Sequence, residues 1–336
     1  MSGGIAQLVA VGAQDAHLVG QPEVSFFRSN YKRHTNFAQT VERQVIQGNP
    51  STGSMSTVRF ERKGDMVGYV YIAPNDGTQA VKFSPADWVA AISKVELLIG
   101  GQVIDEQTSE FSQYIAPSIL AQNLSKSTSG FAEAAESKFY PLRFSFCENA
   151  QSAIPLIALQ YHDVELRITW GTVASEKYEV YSQFIHLDTE ERTVLSSTPQ
   201  QMLITQTQKA VASASKTQEL NFNHPMKYLV AANATNAIPG TDKLKLQING
   251  TDVTDAKTVI PHFTSAPIYY HTTAGDCTAD NLTLIPFCLD TAKVQPTGSL
   301  NFSRLDSARL VSDNTSFANT IYAVNYNILR IENGMG

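Results

Sequence analysis

Seven histidines, three cysteines and scattered carboxylates are the side chains of this 336-residue sequence that could do chemistry. A metal site needs several such ligands converging at fixed spacing. His17, His34, His162, His186, His224, His262 and His271 show no such spacing, and no His-Glu-x-x-His occurs. His162-Asp163 is the one histidine directly beside a carboxylate, and it opens an alternating, strand-like stretch. Cys147, Cys277 and Cys288 are too few and too scattered for a disulfide framework or a cysteine-rich zinc site. Cys277 and Cys288 could meet, but buried free thiols in a reducing compartment fit better. Glu190 and Glu191 are adjacent, so on a helix they diverge and make a poor acid–base pair. Gly100-Gly101-Gln102 matches the tripeptide with which release factors position water, yet it stands at a hairpin tip where turn geometry accounts for both glycines. No P-loop or dinucleotide-binding glycine pattern is present. The expectation is no catalytic residue, no metal and no cofactor.

Charge points the same way. Residues 1–195 hold 15 Lys+Arg against 21 Asp+Glu, whereas 196–336 hold ten of each. Nucleic-acid phosphates are neutralised by clustered basic residues, so direct nucleic-acid binding is not expected. The nearest cluster, Arg28, Lys32, Arg33 and His34, reads as an interface or solvated patch. Asn-x-Ser/Thr triplets occur at Asn123, Asn233, Asn249, Asn281, Asn301 and Asn314. No basic region precedes the mildly apolar Ile5–Ala13, so a signal peptide is not expected and the triplets read as chance products of Asn- and Thr-rich loops. The clearest apolar run, Ile154–Leu159, is far too short to span a bilayer.

The elements that must carry these residues are strands. Val164-Glu165-Leu166-Arg167-Ile168-Thr169-Trp170 is apolar at every second position. Val58 and Phe60 alternate with Arg59 and Glu61, and Tyr322, Val324, Tyr326 and Ile328 with Ala323, Asn325, Asn327 and Leu329. A period of two predicts one buried and one wet face, as in antiparallel sandwiches.

Two hairpins stand out. Lys94–Ile99 and Gln102–Asp105 flank Gly100-Gly101, while Lys243–Ile248 and Thr251–Asp255 flank Asn249-Gly250. These dipeptides supply the two positive φ values of a type I′ turn, whose twist matches the strands on either side. Each hairpin is followed by an irregular region and then another strand, Val164–Trp170 after the first and Ala308–Val311 after the second. The same order at similar offsets predicts a duplicated β-domain. Between the halves, Asp188 is placed to cap a short helix, with Glu191 three residues on as in a capping box. A second helix is predicted around Ser109–Leu120, and the small, polar tract 125–130 reads as a surface loop.

Several blocks then carry a resemblance. Gly3–Asp15, Phe26-Phe27-Arg28 and Tyr31–Phe37 resemble the major capsid proteins of nucleocytoplasmic large DNA viruses, phycodnaviruses above all. The likeness continues at Pro141–Phe144, Ile154–His162, Leu187–Arg192, Phe222–Lys227, Asn301–Leu310 and Ala323–Ile331. It implies an all-β fold of two tandem eight-stranded antiparallel jelly-roll sandwiches, with short helices in loops and at the junction. The expected division is an arm (1–25), a first jelly roll (26–187), a helical junction (188–203) and a second jelly roll (204–336). The resemblance further implies a structural, non-enzymatic virion protein assembled in the host cytoplasm as pseudo-hexagonal homotrimeric capsomers. Its partners would be neighbouring capsomers and minor capsid proteins, with an internal membrane nearby. Arg28, Tyr31, Arg33 and His34 are then the expected oligomer or inner-face contacts. Two rival readings share parts of this pattern: a viral paralogue serving as a minor capsid protein or scaffold, and a two-jelly-roll carbohydrate-active enzyme or lectin.

Overall fold

The computed structural model describes residues 3–75, 81–127, 137–172, 177–232, 241–274, 282–314 and 316–336. The chain forms two units, Met1–Asn36 and Phe37–Gly336. The first carries the short helices Gly3–Val9 and Ala16–Val19 around a 3-10 turn, Ala13–Asp15. There the Asp15 carboxylate accepts the Gly12 N–H at 2.6 Å. Nearly all of its side chains are exposed, Phe26 and Phe27 almost completely.

The second unit is built from strands that are antiparallel at every described pairing. Its first half contributes β1 (Phe37–Gln44), β2 (Ile46–Gln47), β3 (Met55–Arg59), β4 (Met66–Asn75), β5 (Ile92–Ile99), β6 (Gln102–Thr108), β7 (Tyr140–Pro141), β8 (Ile154–Pro155), β9 (Val164–Trp170) and β10 (Lys177–Leu187). They form one sheet in the order β1-β10-β4-β7, with β8 also on β4, and another in the order β2-β3-β9-β5-β6. Its second half contributes β11 (Gln200–Ala210), β12 (Thr217–Glu219), β13 (Pro225–Ala232), β14 (Lys243–Ile248), β15 (Thr251–Asp252), β16 (Lys257–Thr258), β17 (Leu282–Pro286), β18 (Leu300–Asn301), β19 (Ala308–Ser312) and β20 (Ile321–Ile331). Here the orders are β11-β20-β13-β17, with β18 on β13, and β12-β19-β14-β15, with β16 on β14. The two halves therefore repeat one topology. β5 and β14, the first strands of the two hairpins, each lie between their return strand and the later strand, β9 or β19.

Three apolar clusters hold the unit together. One fills the first sandwich around Trp88, Trp170, Leu166 and Phe184, and it also takes in Ile204, Leu329 and Ile331 from the second half. Another lies between the second pair of sheets around Leu229, Leu244 and Phe302. The third joins the halves: Phe111, Ile115, Ala116 and Ile119 pack with Tyr228, Val230, Leu284 and Tyr322. β9 keeps strict alternation, buried at every second residue.

β20 departs from the predicted pattern. Residues 321–326 are buried on both faces, and Leu329, read as wet, is buried while Ile328 is 63 % exposed. The physical reason is the third cluster, which covers the face that would otherwise meet water, while Leu329 and Ile331 reach the first core. β5 is likewise covered on both faces, with Glu96 and Leu98 buried as well as Val95, Leu97 and Ile99.

The predicted helix after β6 exists with a π-turn, Phe111–Ile115, running into Ala116–Ile119. The junction helix spans Thr189–Ser197, and Asp188 caps it by accepting the Thr189 N–H at 2.7 Å. That bond replaces the expected one from the Glu191 N–H, so the capping box does not form. Within the tract 125–130, Ser125–Ser127 belong to the short helix Leu124–Ser127 instead of a loop, and 128–130 lie outside the described residues.

Candidate assembly surfaces

The two hairpin tips adopt the backbone that their dipeptides favour. Gly100 and Gly101 have φ of 60° and 83°, Asn249 and Gly250 of 49° and 79°. Ile99 pairs with Gln102, and Ile248 with Thr251, so both loops have two residues. A Cβ at Gly100 would collide with the His162 ring, whereas Gly101 and Gly250 face open space. Asn249 does more than turn the chain: its Oδ1 accepts the N–H groups of Asp306 at 2.9 Å and Ser307 at 3.1 Å. Gln102, the third residue of the release-factor-like tripeptide, is simply the exposed first residue of β6.

A third Asn-Gly turn escaped the sequence reading. Asn333 and Gly334 have φ of 54° and 78°, between the paired Glu332 and Met335. The signal was the same dipeptide, but only two residues follow it in the sequence, too few to read as a returning strand. This turn docks on the first sandwich: the Tyr161 N–H donates to Gly334 O at 2.9 Å, and Gly336 lies 3.1 Å from His162 Nδ1. His162 is thus a packing residue between the Gly100 turn and the end of the chain. Its neighbour Asp163 binds Arg59 at 2.6 Å.

The seam between the sandwiches runs along β6 and β11. Asp105 is fully buried, accepting the Thr207 N–H at 2.8 Å and the Gln107 side-chain amide at 3.1 Å. Burial pushes its carboxyl up to about 7, against the lowering pull of those hydrogen bonds. Beside it, Glu106 takes Lys209 at 2.7 Å from the second half and Lys94 at 3.0 Å from the first. Lys94 continues to Glu96 at 2.7 Å, and Glu96 to Arg167 at 3.3 Å. Further along, the Tyr322 hydroxyl lies 2.7 Å from Thr108 Oγ1 and donates to Glu110 at 3.1 Å. Strand alternation alone reads Asp105 and Glu96 as solvated, so the seam was not visible in the sequence.

The remaining reactive side chains are built into the structure. Cys147 and Cys288 are free, and burial raises both thiols above their ordinary range, which suppresses thiolate chemistry. Lys227 is buried, donates to Lys293 O at 2.8 Å and lies 5.7 Å from the Tyr326 ring centre; desolvation lowers its ammonium to about 8. Asn123 and Asn301 each accept a nearby backbone N–H, from Lys126 and Ser303, at 3.0 Å, and Asn314 reaches Asp242. Cys277, Asn233 and Asn281 lie outside the described residues. Among the described residues, no group of three His, Cys, Asp or Glu side chains is placed to hold a metal ion. Arg28, Tyr31, Arg33 and His34 all sit in the N-terminal unit and are exposed, with the His34 ring bonded to Thr35 O.

The chain is thus two sandwiches of one topology joined along a shared seam. Comparison with known proteins agrees. Residues 25–219 match the model of the major capsid protein N-terminus, and 230–336 that of the large eukaryotic DNA virus major capsid protein. The chain is 32 % identical to the major capsid protein of Pyramimonas orientalis virus, spanning all of this chain and 98 % of that one. It is 31 % identical to the major capsid protein of Paramecium bursaria Chlorella virus 1, spanning all of this chain and 99 % of that one. The solved VP54 structure of the latter virus superposes with a TM-score of 0.77 at 27 % identity, covering 93 % of this chain and 98 % of that one. The Faustovirus major capsid protein shares the fold at a TM-score of 0.63 and 10 % identity. The chain belongs to the major capsid proteins of large eukaryotic DNA viruses, double jelly rolls with a structural role in the virion capsid and not enzymes.

Proposed function

We propose that three copies of this chain close into a pseudo-hexagonal capsomer, and that capsomers tile an icosahedral shell. The observation that carries this reading is the repeated sheet order of the two halves, joined side by side through the β6–β11 seam. Two similar sandwiches per chain give three chains six similar sides, which suits hexagonal positions of a flat lattice. A closed ring of three uses heterologous contacts, one face of a copy meeting a different face of the next. The arm (1–25) and the jelly rolls (26–187 and 204–336), linked by 188–203, are the parts of that block. The exposed apolar and basic residues of the N-terminal unit, Phe26, Phe27, Tyr31 and Arg33 among them, suit contacts with minor capsid proteins on the inner side, near an internal membrane. Assembly in the host cytoplasm is part of the same proposal.

Light scattering on the full chain at micromolar concentration tests the reading. It is expected to give three times the 36.8 kDa of one chain. A persistent monomer in the absence of denaturant would overturn it.

A further inference from the structure

At one end of the second sandwich, a carboxylate is closed off from water without a counter-charge. Asp242, the residue before β14, is 3 % exposed, and its Oδ2 has no hydrogen-bond partner. Among the described residues it joins no ion pair. Buried charges are ordinarily paired or bound to a metal, because desolvation without compensation is costly. Protonation is no remedy, since a hydroxyl at Oδ2 would lack an acceptor. Nor does the fold require a carboxylate at this place. Ser93 stands eight residues before Gly101 as Asp242 stands eight before Gly250, and Ser93 is exposed.

Two further side chains meet Asp242 from the end of β19. The Asp313 N–H donates to Lys243 O at 3.1 Å, and Asp313 Oδ1 accepts the Lys243 N–H at 2.8 Å. This double tie continues the β14–β19 ladder past Leu244 and Ser312, and sets Asn314 opposite Asp242. The Asn314 carboxamide nitrogen lies 3.5 Å from Asp242 Oδ1, at the outer limit of a hydrogen bond. A half-turn of the carboxamide exchanges its nitrogen for its oxygen. Two oxygens 3.5 Å apart, each about 2.4 Å from a shared centre, subtend about 90° there, an ordinary ligand angle for Ca2+. At the bond length of Mg2+, about 2.05 Å, the same spacing would demand about 117°, far from octahedral. The Lys216 ammonium donates to the main-chain carbonyl of Asp313 at 3.1 Å and neutralises neither carboxylate. Asp313 and Asn314 are exposed, so the buried oxygen is reached from their side.

We propose that Asp242, Asp313 and Asn314 form a Ca2+ site that pins the end of β19 to the start of β14, with water completing the shell. All the donors are oxygens, as a hard cation requires, and the carboxamide supplies the third ligand that the two carboxylates lack. An open rim and only two carboxylates suit binding at about 0.1–1 mM. The site is independent of the capsomer reading.

Thermal melts of the full chain, first dialysed against a chelator, test it. Calcium chloride at about 10 mM is expected to raise the melting temperature by roughly 2–4 °C, and magnesium chloride by clearly less. Asp242→Asn is expected to keep the far-UV spectrum, to melt higher than the unsubstituted chain without calcium, and to lose the calcium shift. Asp313→Asn, at an exposed position, carries the test if D242N does not fold; it is expected to need roughly tenfold more calcium for the same shift. An unsubstituted chain that melts alike with and without calcium would overturn the site. So would an equal rise with magnesium, or a calcium shift that survives unchanged in D242N or, where D242N does not fold, in D313N.

Discussion

Asp105 of the first sandwich and Thr207 of the second meet through a carboxylate-to-backbone bond of 2.8 Å at a position closed to solvent. The carboxyl satisfies a backbone N–H of the facing strand, but its ionised form is held out of water, and burial raises it to about 7. A folded-state value above the ordinary 3.8 means that the folded protein binds the proton more tightly than the unfolded chain. The stability this contributes is complete below about pH 4 and is lost as pH rises through about 7, at most roughly 4 kcal/mol. D105N, which keeps an oxygen for Thr207, is expected to flatten the melting temperature between pH 4 and 7. An unchanged slope would show that Asp105 does not titrate there.

Lys227 has the opposite sign. Its folded value of about 8 lies below the ordinary 10.5, so the unfolded chain binds more protons between those limits and stability rises with pH across them. K227M removes the desolvated charge and keeps the length of the side chain. It is expected to abolish the rise between pH 8 and 10 and to stabilise the protein at pH 7 by roughly 1–3 kcal/mol. Thermal melts across that range decide it; a destabilised variant with the same alkaline slope would contradict it.

The Gly100-Gly101 tip separates two costs that are usually confounded. Both residues have positive φ, so an alanine at either is strained by roughly 1 kcal/mol. At Gly100 the added carbon also meets the His162 ring, which holds the end of the chain. G100A is therefore expected to lower stability by about 2 kcal/mol more than G101A, by the usual cost of overpacking. Equal losses in chemical denaturation would mean that the His162 contact yields freely.

What the sequence disclosed followed from local rules. Asn249-Gly250 and Gly100-Gly101 were legible because their turn type is set by two adjacent residues, and β9 because both of its faces behave as alternation assumes. β20 was misread because alternation presumes one wet face, and the 111–119 segment covers that face from the other half of the chain. Asp105 was missed for the same reason: a carboxylate on a strand reads as solvated until a second sandwich is laid on it. Arg28, Arg33 and His34 stood out as a basic cluster, but a role for them and for Tyr31 as oligomer or inner-face contacts came from the resemblance, not from any local rule. Tyr71 and Tyr181, whose rings stack at 5.4 Å, lie far apart in the sequence and meet only through strand register.

In the proposed capsomer, one chain supplies two equivalent sides of a six-sided block. Cryo-electron microscopy of the purified oligomer, viewed down its symmetry axis, measures this most directly. The expected projection has true three-fold symmetry and six lobes of nearly equal size, alternating between first and second sandwiches. A two-fold assembly, or a three-fold one in which the second sandwiches stand apart from the ring, would contradict it.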